Sequence, residues 1–557
     1  MYLKITKNAA KQAYYHLVES YWENGKSRQR TLLSLGRVGE EGEEKIDEAI
    51  AALAKGRDVF TITQLAKEIS VEETFILGPL LILEKLFEQT GINDVITTLA
   101  SKHPKLGLDL HKVLFTIMAC RFVKPGSKLK IFEHWQRLLY PEMIDRDLPL
   151  HHLYRTLDVL AEHKEDIETQ LYWRGRDLLT EPTDIVLYDL TTLRFESTKQ
   201  TEELRRFGYS KEKRSDCTQV VFGLLLNTDG IPLGFEVYPG NTFEGKTLEG
   251  IVEKMRKKFR IRRMIFVADR GLFSGKNLEF LRQDGGEFIV GCKMGSMKKA
   301  EQEKLYDMNR FQWIIPGDLA AQETTTEDGD RLIVTWSRVR AERDAKTRAD
   351  ILGKIERKIA SKKKITPKAF VSNTNYQKYV TGLDTDAKPA LNQAAIEAAA
   401  KKDGFFGIVS NVKNLPSADI VINYKELWKI EDAFGEIKGT LKTRPIFHWT
   451  DDRIIGHLVA CFLAYLCEAS ITKLLREKKL ILKSAAIEEG RIKKRPLTVA
   501  EAMKELSEVR AVPVKIREKT IWCRTDIAGN AAALFHAVGA RIPAKILKTT
   551  TNPAGTN

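Results

Sequence analysis

The sequence predicts an α/β protein whose core is a mixed β-sheet. Between residues 182 and 292, apolar runs and amphipathic stretches follow one another in the order β-β-β-α-β-α-β. The second and third runs, CTQVVFGLLLN and IPLGFEVY, flank a Thr-Asp-Gly turn and therefore predict an antiparallel hairpin. After a long basic interruption, FFGIVSN restores a strand and YKELWKIEDAFGEIKG a helix. We therefore expect the core to come from two separated parts of the chain.

Two β-prone runs near the start, QAYYHLVESYW and SRQRTLLSLGRV, are joined across Asn24-Gly25, which is a strong hairpin signal. The second strand carries Arg28, Arg30 and Arg37, which face either phosphates or solvent. From about Thr63 to Leu179 the apolar spacing becomes helical, which predicts a helical domain whose main role is packing.

At 557 residues the chain exceeds what one hydrophobic core usually serves, so we expect several regions. In order they are an N-terminal β-hairpin region with possible DNA contact (1–62), a helical domain (63–181), the first part of the core (182–292), an insertion domain (293–403), the second part of the core (404–495) and a C-terminal region with a polar tail (496–557).

The charge balance favours a polyanionic partner. Lys and Arg number 90 against 75 acidic residues, which gives a formal net charge of +15. Such an excess points first to nucleic acid, although a generically basic protein has the same composition.

Neither cysteine pattern nor hydropathy indicates secretion or a membrane. The six cysteines are scattered, without a CxxC pair or a histidine at zinc-ligand spacing, which fits a reducing cytoplasm. The most apolar stretch, HLVACFLAYLCEASITKLL, is interrupted by His457, Glu468 and Lys473, so we interpret it as a buried core helix.

Three acids form the candidate site. Asp189 lies near the end of the apolar run TDIVLYDL and Asp269 ends RMIFVAD, so each is expected where a strand meets its loop, at the edge of a sheet where sites form. Taken alone, each is as well explained as a loop-capping aspartate. The third acid, Glu431, lies seven residues after Tyr424 and seven residues before Lys438. This spacing places all three along one face of one predicted helix.

Two aspartates and a glutamate supply the anionic oxygen ligands that Mg²⁺ requires. Two such ions about 4 Å apart activate the attacking oxygen and stabilise the leaving one in phosphoryl displacement. Lys438 on the same face is a candidate phosphate ligand, and otherwise a surface lysine at a helix end.

In these residues the sequence resembles transposases of bacterial insertion sequences, in the group with a Tyr-x2-Arg-x3-Glu-x6-Lys signature on the helix of the catalytic glutamate. The matching positions are Tyr424, Leu427, Glu431 and Lys438, and YDLTTLRFES and FVADRGLFS resemble the motifs of the first and second aspartates. The resemblance spans most of the chain.

This resemblance implies a DDE transposase with a ribonuclease-H-like core and Asp189, Asp269 and Glu431 as catalytic metal ligands. It also implies two Mg²⁺ or Mn²⁺ ions, cut-and-paste chemistry on double-stranded DNA (terminal inverted repeats and target), a homodimer on DNA, and a bacterial cytoplasmic, nucleoid-associated location. One departure concerns the signature arginine, which is Leu427 here. Its phosphate contact is therefore lost or supplied by Lys425 or Lys429, and a lysine cannot copy a bidentate guanidinium.

The resemblance further suggests that an aromatic residue in the insertion stacks on an extruded base. Trp313 and Trp336 are the candidates, Trp336 being the one we expect to contact DNA together with Tyr424, Lys438, Lys429 and Lys425. A tryptophan ending RLIVTW is otherwise typical of packing against its own sheet.

Two competing functions remain at this point. Gly240, Gly245, Lys246 and Thr247 match the P-loop pattern G-x4-G-K-[ST], which would indicate an ATPase. Against it, the preceding strand is predicted as the return arm of a hairpin, whereas a P-loop strand belongs to a parallel sheet. The other alternative is a DNA-binding regulator without strand cleavage, which the presence of all three acids disfavours.

Overall fold

A computed structural model describes residues 2–23, 26–39, 43–47, 69–71, 73–174, 185–209, 214, 216–243, 247–259, 263–269, 271, 275–283, 285–292, 294, 299–360, 377–381, 389–480, 486–488, 491–493, 497–516 and 519–551. The chain forms two compact units. The smaller comprises residues 1–74, 511–525 and 543–557, and the larger comprises residues 75–510 and 526–542.

The strands, numbered in chain order, are β1 (Tyr2–Lys7), β2 (Ala13–Glu23), β3 (Lys26–Arg37), β4 (Ile69–Val71), β5 (Phe75–Ile76), β6 (Ile185–Arg194), β7 (Gln219–Leu226), β8 (Pro232–Pro239), β9 (Ile265–Ala268), β10 (Glu287–Cys292), β11 (Gln312–Ile315), β12 (Leu319–Thr325), β13 (Arg331–Ser337), β14 (Val380–Thr381), β15 (Ala390–Leu391), β16 (Phe405–Ser410), β17 (Ala486–Glu488), β18 (Arg491–Lys493), β19 (Arg510–Ile516), β20 (Lys519–Arg524) and β21 (Ile546–Thr551).

The α-helices are α1 (Gly78–Thr90), α2 (Ile92–Lys102), α3 (Leu110–Val123), α4 (Leu150–Glu162), α5 (Lys164–Arg174), α6 (Leu248–Phe259), α7 (Gly275–Gln283), α8 (Lys299–Leu305), α9 (Arg338–Ala360), α10 (Gln393–Ala400), α11 (Ser417–Lys425), α12 (Trp428–Lys438), α13 (Asp451–Glu477), α14 (Val499–Leu506) and α15 (Gly529–Val538).

The smaller unit contains the predicted N-terminal hairpin. Strands β2 and β3 pair antiparallel up to Glu23 and Lys26, which confirms the hairpin, while Asn24 and Gly25 lie outside the described residues. Arg30 forms an ion pair with Glu19 across the two strands. A second sheet in this unit has the order β21-β20-β19-β4, so it joins strands from both ends of the chain.

The larger unit is built on a nine-stranded mixed sheet with the order β11-β12-β13-β16-β10-β9-β6-β7-β8. Strand β9 pairs parallel with both β10 and β6, and the other neighbours are antiparallel. The predicted order β-β-β-α-β-α-β is confirmed by β6, β7, β8, α6, β9, α7 and β10. From the segment that we predict as an insertion, β11, β12 and β13 extend this same sheet.

Different helices cover the two faces of the sheet. Because side chains alternate along a strand, neighbouring residues of one strand contact different helices. On one face Tyr188 of β6 packs in a core with Met255 and Phe259 of α6. On the other face Phe222 of β7 contacts Phe434 of α12. Asp189, next to Tyr188 in β6, therefore faces the side that carries α12.

The apolar stretch predicted as a core helix lies within α13. This 27-residue helix is long and apolar enough to cross a membrane by composition, yet 89% of its apolar window is buried inside the protein. Its side chains pack against the sheet, where Phe462 contacts Phe235 of β8. The interpretation as a buried helix is confirmed.

The hairpin geometry contradicts the P-loop alternative. Strand β8, which precedes the motif, lies at the edge of the sheet and pairs antiparallel with β7. Thr247 is buried and accepts a hydrogen bond from the Tyr188 hydroxyl at 3.2 Å, so it is part of the core. Gly245 and Lys246 lie outside the described residues. A phosphate loop would instead follow the end of a parallel strand.

Candidate active site

The first two acids come together through the register of two parallel strands. Leu187 of β6 is paired with Val267 of β9, so the same register two residues further aligns Asp189 with Asp269. The expected position of Asp189 is wrong in one respect, because β6 continues to Arg194 by pairing with β7. Asp189 therefore lies within a strand, whereas Asp269 directly follows the end of β9, as expected.

The helix of the third acid also differs from the prediction. Tyr424 lies in α11, whereas Glu431 lies in the first turn of α12 and Lys438 is its last residue. Between them, the amides of Leu427 and Ile430 bond to carbonyls three residues back, as in a 3₁₀ turn. Leu427 keeps helical backbone dihedrals, so the chain passes from α11 to α12 without a change to extended structure. Tyr424 and Glu431 therefore still line the same cavity.

This cavity, the acid cavity, has a volume of about 470 Å³. It is lined by Asp189, Asp269, Thr335, Ser337, Arg340, Arg343, Phe406, Ile408, Val421, Tyr424, Lys425, Leu427, Trp428, Ile430 and Glu431. Asp189 is half-buried, and Asp269 and Glu431 are exposed. Three carboxylates on one open cavity are the hard oxygen donors that suit a divalent metal ion such as Mg²⁺, so the donor types fit such an ion. Their oxygens do not all lie within 4.8 Å of one another.

Tyr424 is held beside the second acid. Its hydroxyl lies 3.5 Å from Oδ1 of Asp269, and its ring packs against Phe406 with 5.1 Å between ring centroids. Gly291 makes this position possible, because a Cβ there would lie 2.5 Å from the Tyr424 hydroxyl oxygen. Tyr424 thus contacts the Asp269 carboxylate.

The cationic side of the cavity is only partly the predicted one. Lys425 lines the cavity, as do Arg340 and Arg343 of α9, which lie in the long basic interruption of the core pattern and are not among the predicted site residues. The two arginines are spaced i, i+3, which is the signal that could have found them. Lys429 is not brought to the cavity, because its ammonium binds the Thr228 carbonyl and pairs with Glu426.

A model of the transposase DDE domain matches residues 180–467, slightly more than half of the chain and all three acids. The chain belongs to the DDE transposase family. A model of the N-terminal domain of IS1634 family transposases matches residues 3–64, which supports an insertion-sequence transposase of that family. The protein is thus a cut-and-paste transposase, an enzyme that cleaves DNA with the help of divalent metal.

A search of curated proteins found no match. Among solved structures, the transposase is similar to a piggyBac transposase synaptic complex with hairpin DNA, determined by cryo-EM. That likeness has 11% identity and a TM-score of 0.35, and covers 77% of this chain and 79% of the other.

Trp336 does not lie where a base at the acid cavity would meet it. It stands between Thr335 and Ser337 in β13, and both of those neighbours line the cavity. Because side chains alternate along a strand, Trp336 faces the opposite side of the sheet. There it packs edge-to-face with Trp313, at 5.9 Å between ring centroids. The expectation that Trp336 contacts DNA beside the transposase acids is therefore not supported by its placement.

In the described part of the transposase, one group of three side chains holds its possible ligand atoms within 4.8 Å of one another, namely His103, Glu162 and His163. It lies at the ends of α2 and α4, away from the three acids in sequence. Its histidines already satisfy each other, since their Nε2 atoms are 2.8 Å apart and Nδ1 of His163 contacts Asp166 at 3.3 Å.

Proposed function

We propose that Asp189, Asp269 and Glu431 are the metal ligands and catalytic residues with which the transposase cleaves the ends of its element and joins them to target DNA. The observation that carries the proposal is the register that aligns Asp189 with Asp269, together with Glu431 on the same cavity. When bound, two Mg²⁺ or Mn²⁺ ions supply activation of the attacking oxygen and stabilisation of the leaving oxygen.

Other groups of the protein hold two of the three carboxylates in place. Tyr424 contacts the Asp269 carboxylate and limits its rotation. Asp189 accepts a hydrogen bond from the Leu190 amide at 2.7 Å, which fixes the direction of its carboxylate. A site whose acids are held in this way loses less entropy when the substrate binds than one whose acids move freely.

Two arginines from another helix lie on the cavity where the arginine of the helix signature is missing. Leu427 lines the acid cavity without a charge, and Arg340 and Arg343 line it from α9. A guanidinium binds phosphate oxygens with two parallel hydrogen bonds, which lysine cannot do. We therefore assign the role of the signature arginine to these two residues, with Lys425 as an additional phosphate ligand.

Four finer features belong to the same proposal. The nine-stranded sheet forms a ribonuclease-H-like core, the helix pair α11–α12 carries the family signature, the active form is a homodimer on the terminal inverted repeats, and the transposase works at the bacterial nucleoid. The sheet order β8-β7-β6-β9-β10, with Asp189 in β6 and Asp269 directly after the adjacent parallel strand β9, supports the first of these.

The test is metal-dependent cleavage of duplex DNA that carries the terminal inverted repeats of the element. We expect Asp189→Asn, Asp269→Asn and Glu431→Gln each to lower cleavage by more than about a hundredfold. Asp432→Asn is the matched control, because Asp432 neighbours Glu431 but contacts Arg476 at 3.4 Å outside the acid cavity. Undiminished cleavage by the Asp189 variant would contradict the assignment.

Mn²⁺ binding, followed by electron paramagnetic resonance, tests the ligands separately from the reaction. The wild-type chain with DNA should bind two ions, and each of the three variants should bind at least one fewer. Asp432→Asn should bind as the wild type does. A full complement of ions in the Glu431 variant would remove Glu431 from the ligand set.

A further inference from the structure

A second cavity of the larger unit lies apart from the three acids. It has a volume of about 600 Å³ and is lined by Pro125, Gly126, Ser127, Lys128, Leu129, Lys130, Tyr154, Glu196, Ser197, Arg205, Lys442, Arg444, Pro445, Ile446, Phe447, His448, Trp449 and His457. We call it the Lys128–Arg205 cavity. Five of its lining residues are lysine or arginine, and Glu196 is the one acid among them.

Two of the cations are buried to an unusual degree. The exposed fraction is 2% for Lys128 and 1% for Arg205, and the adjacent Arg121 is 3% exposed. Among the described residues none of these three cations has a carboxylate within ion-pair distance. Charges removed from water in this way are costly unless a counter-charge is supplied.

The hydrogen-bond partners of the two cations are neutral. Burial lowers the pKa of Arg205, and the carboxylate of Asp451, which forms no ion pair with it, raises that pKa in part. Nζ of Lys128 lies 3.5 Å from Nδ1 of His457, and Arg205 donates to the His448 carbonyl at 3.4 Å. The Nε of Arg205 is buried without a hydrogen-bond partner. Glu196 is engaged elsewhere, by Arg194 at 3.2 Å and by Arg214 at 3.4 Å.

Positive charge in this interior is costly to keep. Burial and then the nearby Arg121 lower the pKa of Lys128 to about 7. Burial and then Lys128 lower the pKa of His448 to about 3, so this histidine adds no charge. An anion in the cavity would relieve the repulsion between Lys128 and Arg121 and would give the Arg205 Nε an acceptor.

Aromatic rings flank the entrance. The exposed fraction is 56% for Phe447 and 60% for Trp449. The Trp449 ring lies 5.2 Å from Cζ of Arg205 and 5.4 Å from Nζ of Lys199. An exposed ring beside buried cations is the combination that binds single-stranded nucleic acid, because bases stack on the ring while phosphates meet the cations.

We propose that the Lys128–Arg205 cavity binds a phosphodiester of a DNA strand whose adjoining base stacks on Trp449. The proposal rests on the proposed function, because it assigns DNA to a second position on the same enzyme. Residues shortly after both acid-bearing elements line the cavity: Glu196 follows β6 in the chain, and Lys442 follows α12. Seven residues of extended chain from Asp189 to Glu196 span roughly 20 Å, the length of about six base pairs.

The test uses the full-length transposase and fluorescein-labelled oligothymidylate (dT)8, with affinity measured by fluorescence anisotropy between 50 and 200 mM salt. Lys128→Met should weaken binding about tenfold and reduce the dependence of log affinity on log salt by about 0.7, the value for one phosphate on a single strand. Trp449→Leu should also weaken binding about tenfold but leave the salt dependence unchanged. Lys105→Met, at an exposed lysine outside the cavity, should bind as the wild type does.

Misfolding is separated from loss of the site by the melting temperature. Because Lys128→Met removes a buried charge that lacks a carboxylate, it should raise Tm while it weakens DNA binding. Unchanged (dT)8 affinity in the Lys128 variant would overturn the proposal. Competition by inorganic phosphate as effective as competition by unlabelled (dT)8 would also overturn it, since the site would then recognise a small anion alone.

The proposed function fails or stands independently of this result. Asp189→Asn should abolish cleavage and keep wild-type (dT)8 affinity. A cleaving Asp189 variant would refute the catalytic assignment without touching the cavity, whereas unchanged (dT)8 binding by Lys128→Met would refute the cavity alone.

Discussion

Lys438 donates a hydrogen bond from its Nζ to Oγ1 of Thr191, two residues beyond Asp189 in β6. Residues two apart in a strand share a face, so this bond ties the last residue of α12, which carries Glu431, to the strand that carries Asp189. Its place on the same helix face as Glu431 makes Lys438 a candidate phosphate ligand, and the structure adds a contact to the strand of Asp189.

The first prediction separates these two roles. If Lys438 positions the helix, Thr191→Val, which removes only the acceptor, should lower kcat about tenfold and leave DNA affinity unchanged, given the usual strength of a hydrogen bond to a charged group. Lys438→Met should lower kcat to the same extent, and the double variant no further. Single-turnover cleavage and DNA binding measure the two quantities; weaker DNA binding in Lys438→Met alone would assign the lysine to phosphate.

The second prediction concerns Gly291. Its Cβ would meet the Tyr424 hydroxyl at 2.5 Å, so Gly291→Ala should displace Tyr424 from Asp269 and lower both cleavage and stability, the latter by about 1–3 kcal/mol. Gly353→Ala is the control, because it lies in α9 with nothing within 4 Å and should stabilise by about 0.5–1 kcal/mol. Cleavage rates and urea unfolding measure the effects. Wild-type cleavage by Gly291→Ala would show that Tyr424 does not orient Asp269.

The third prediction is a pH dependence of stability. Burial, and then the neighbouring Glu436, raises the pKa of Glu468 from 4.5 to about 8. The folded state therefore holds this proton more tightly than the unfolded state, and the stabilisation is complete below pH 4.5 and is lost as pH rises to 8. Glu468→Gln should have the same Tm as the wild type near pH 5 and a higher Tm at pH 9. The corresponding gain in the free energy of unfolding at pH 9 is on the order of a few kcal/mol. Parallel Tm curves for the two proteins from pH 5 to 9 would contradict this.

The fourth prediction tests the guanidinium groups that we propose in place of the signature arginine. Arg343→Gln should weaken binding of terminal-repeat duplex DNA and reduce its salt dependence by about 1, the value for one phosphate contact. Arg357→Gln is the matched control on the same helix, because Arg357 is exposed and bonds the Gly353 carbonyl at 3.0 Å. Equal salt dependence in the two variants would remove Arg343 from the DNA contacts.

The sequence predicted the elements of the core better than their limits. The apolar runs and the turn residues located the strands. The side chains of β7 and β8 are largely buried, and the two strands meet at a Thr-Asp-Gly turn. The end of β6 was missed because Asp189 is a poor strand residue, yet the β-branched Thr191 and Thr192 continue the pairing with β7.

The site was predicted to the extent that its residues are close in the chain or follow strands. The break between α11 and α12 could not be read from the sequence, since Glu426 and Leu427 are good helix formers. Arg340 and Arg343 were missed because their charges are interleaved with acids, and only the pairing of β13 with β16 brings them to the acid cavity. The orientation of Trp336 was readable, because Thr335 and Ser337 flank it in a strand.

The sheet that joins β4 to β19, β20 and β21 has a consequence for synthesis. Its first strand is Ile69–Val71, and strands β19, β20 and β21 begin only at Arg510. Domains generally fold as they emerge from the ribosome, but this sheet must wait until the segment after Arg510 has been made. A chain terminated before Arg510 would carry all three acids and still lack this sheet. Synthesis of the segment from Arg510 onward is thereby coupled to maturation of the unit that contains Ile69–Val71.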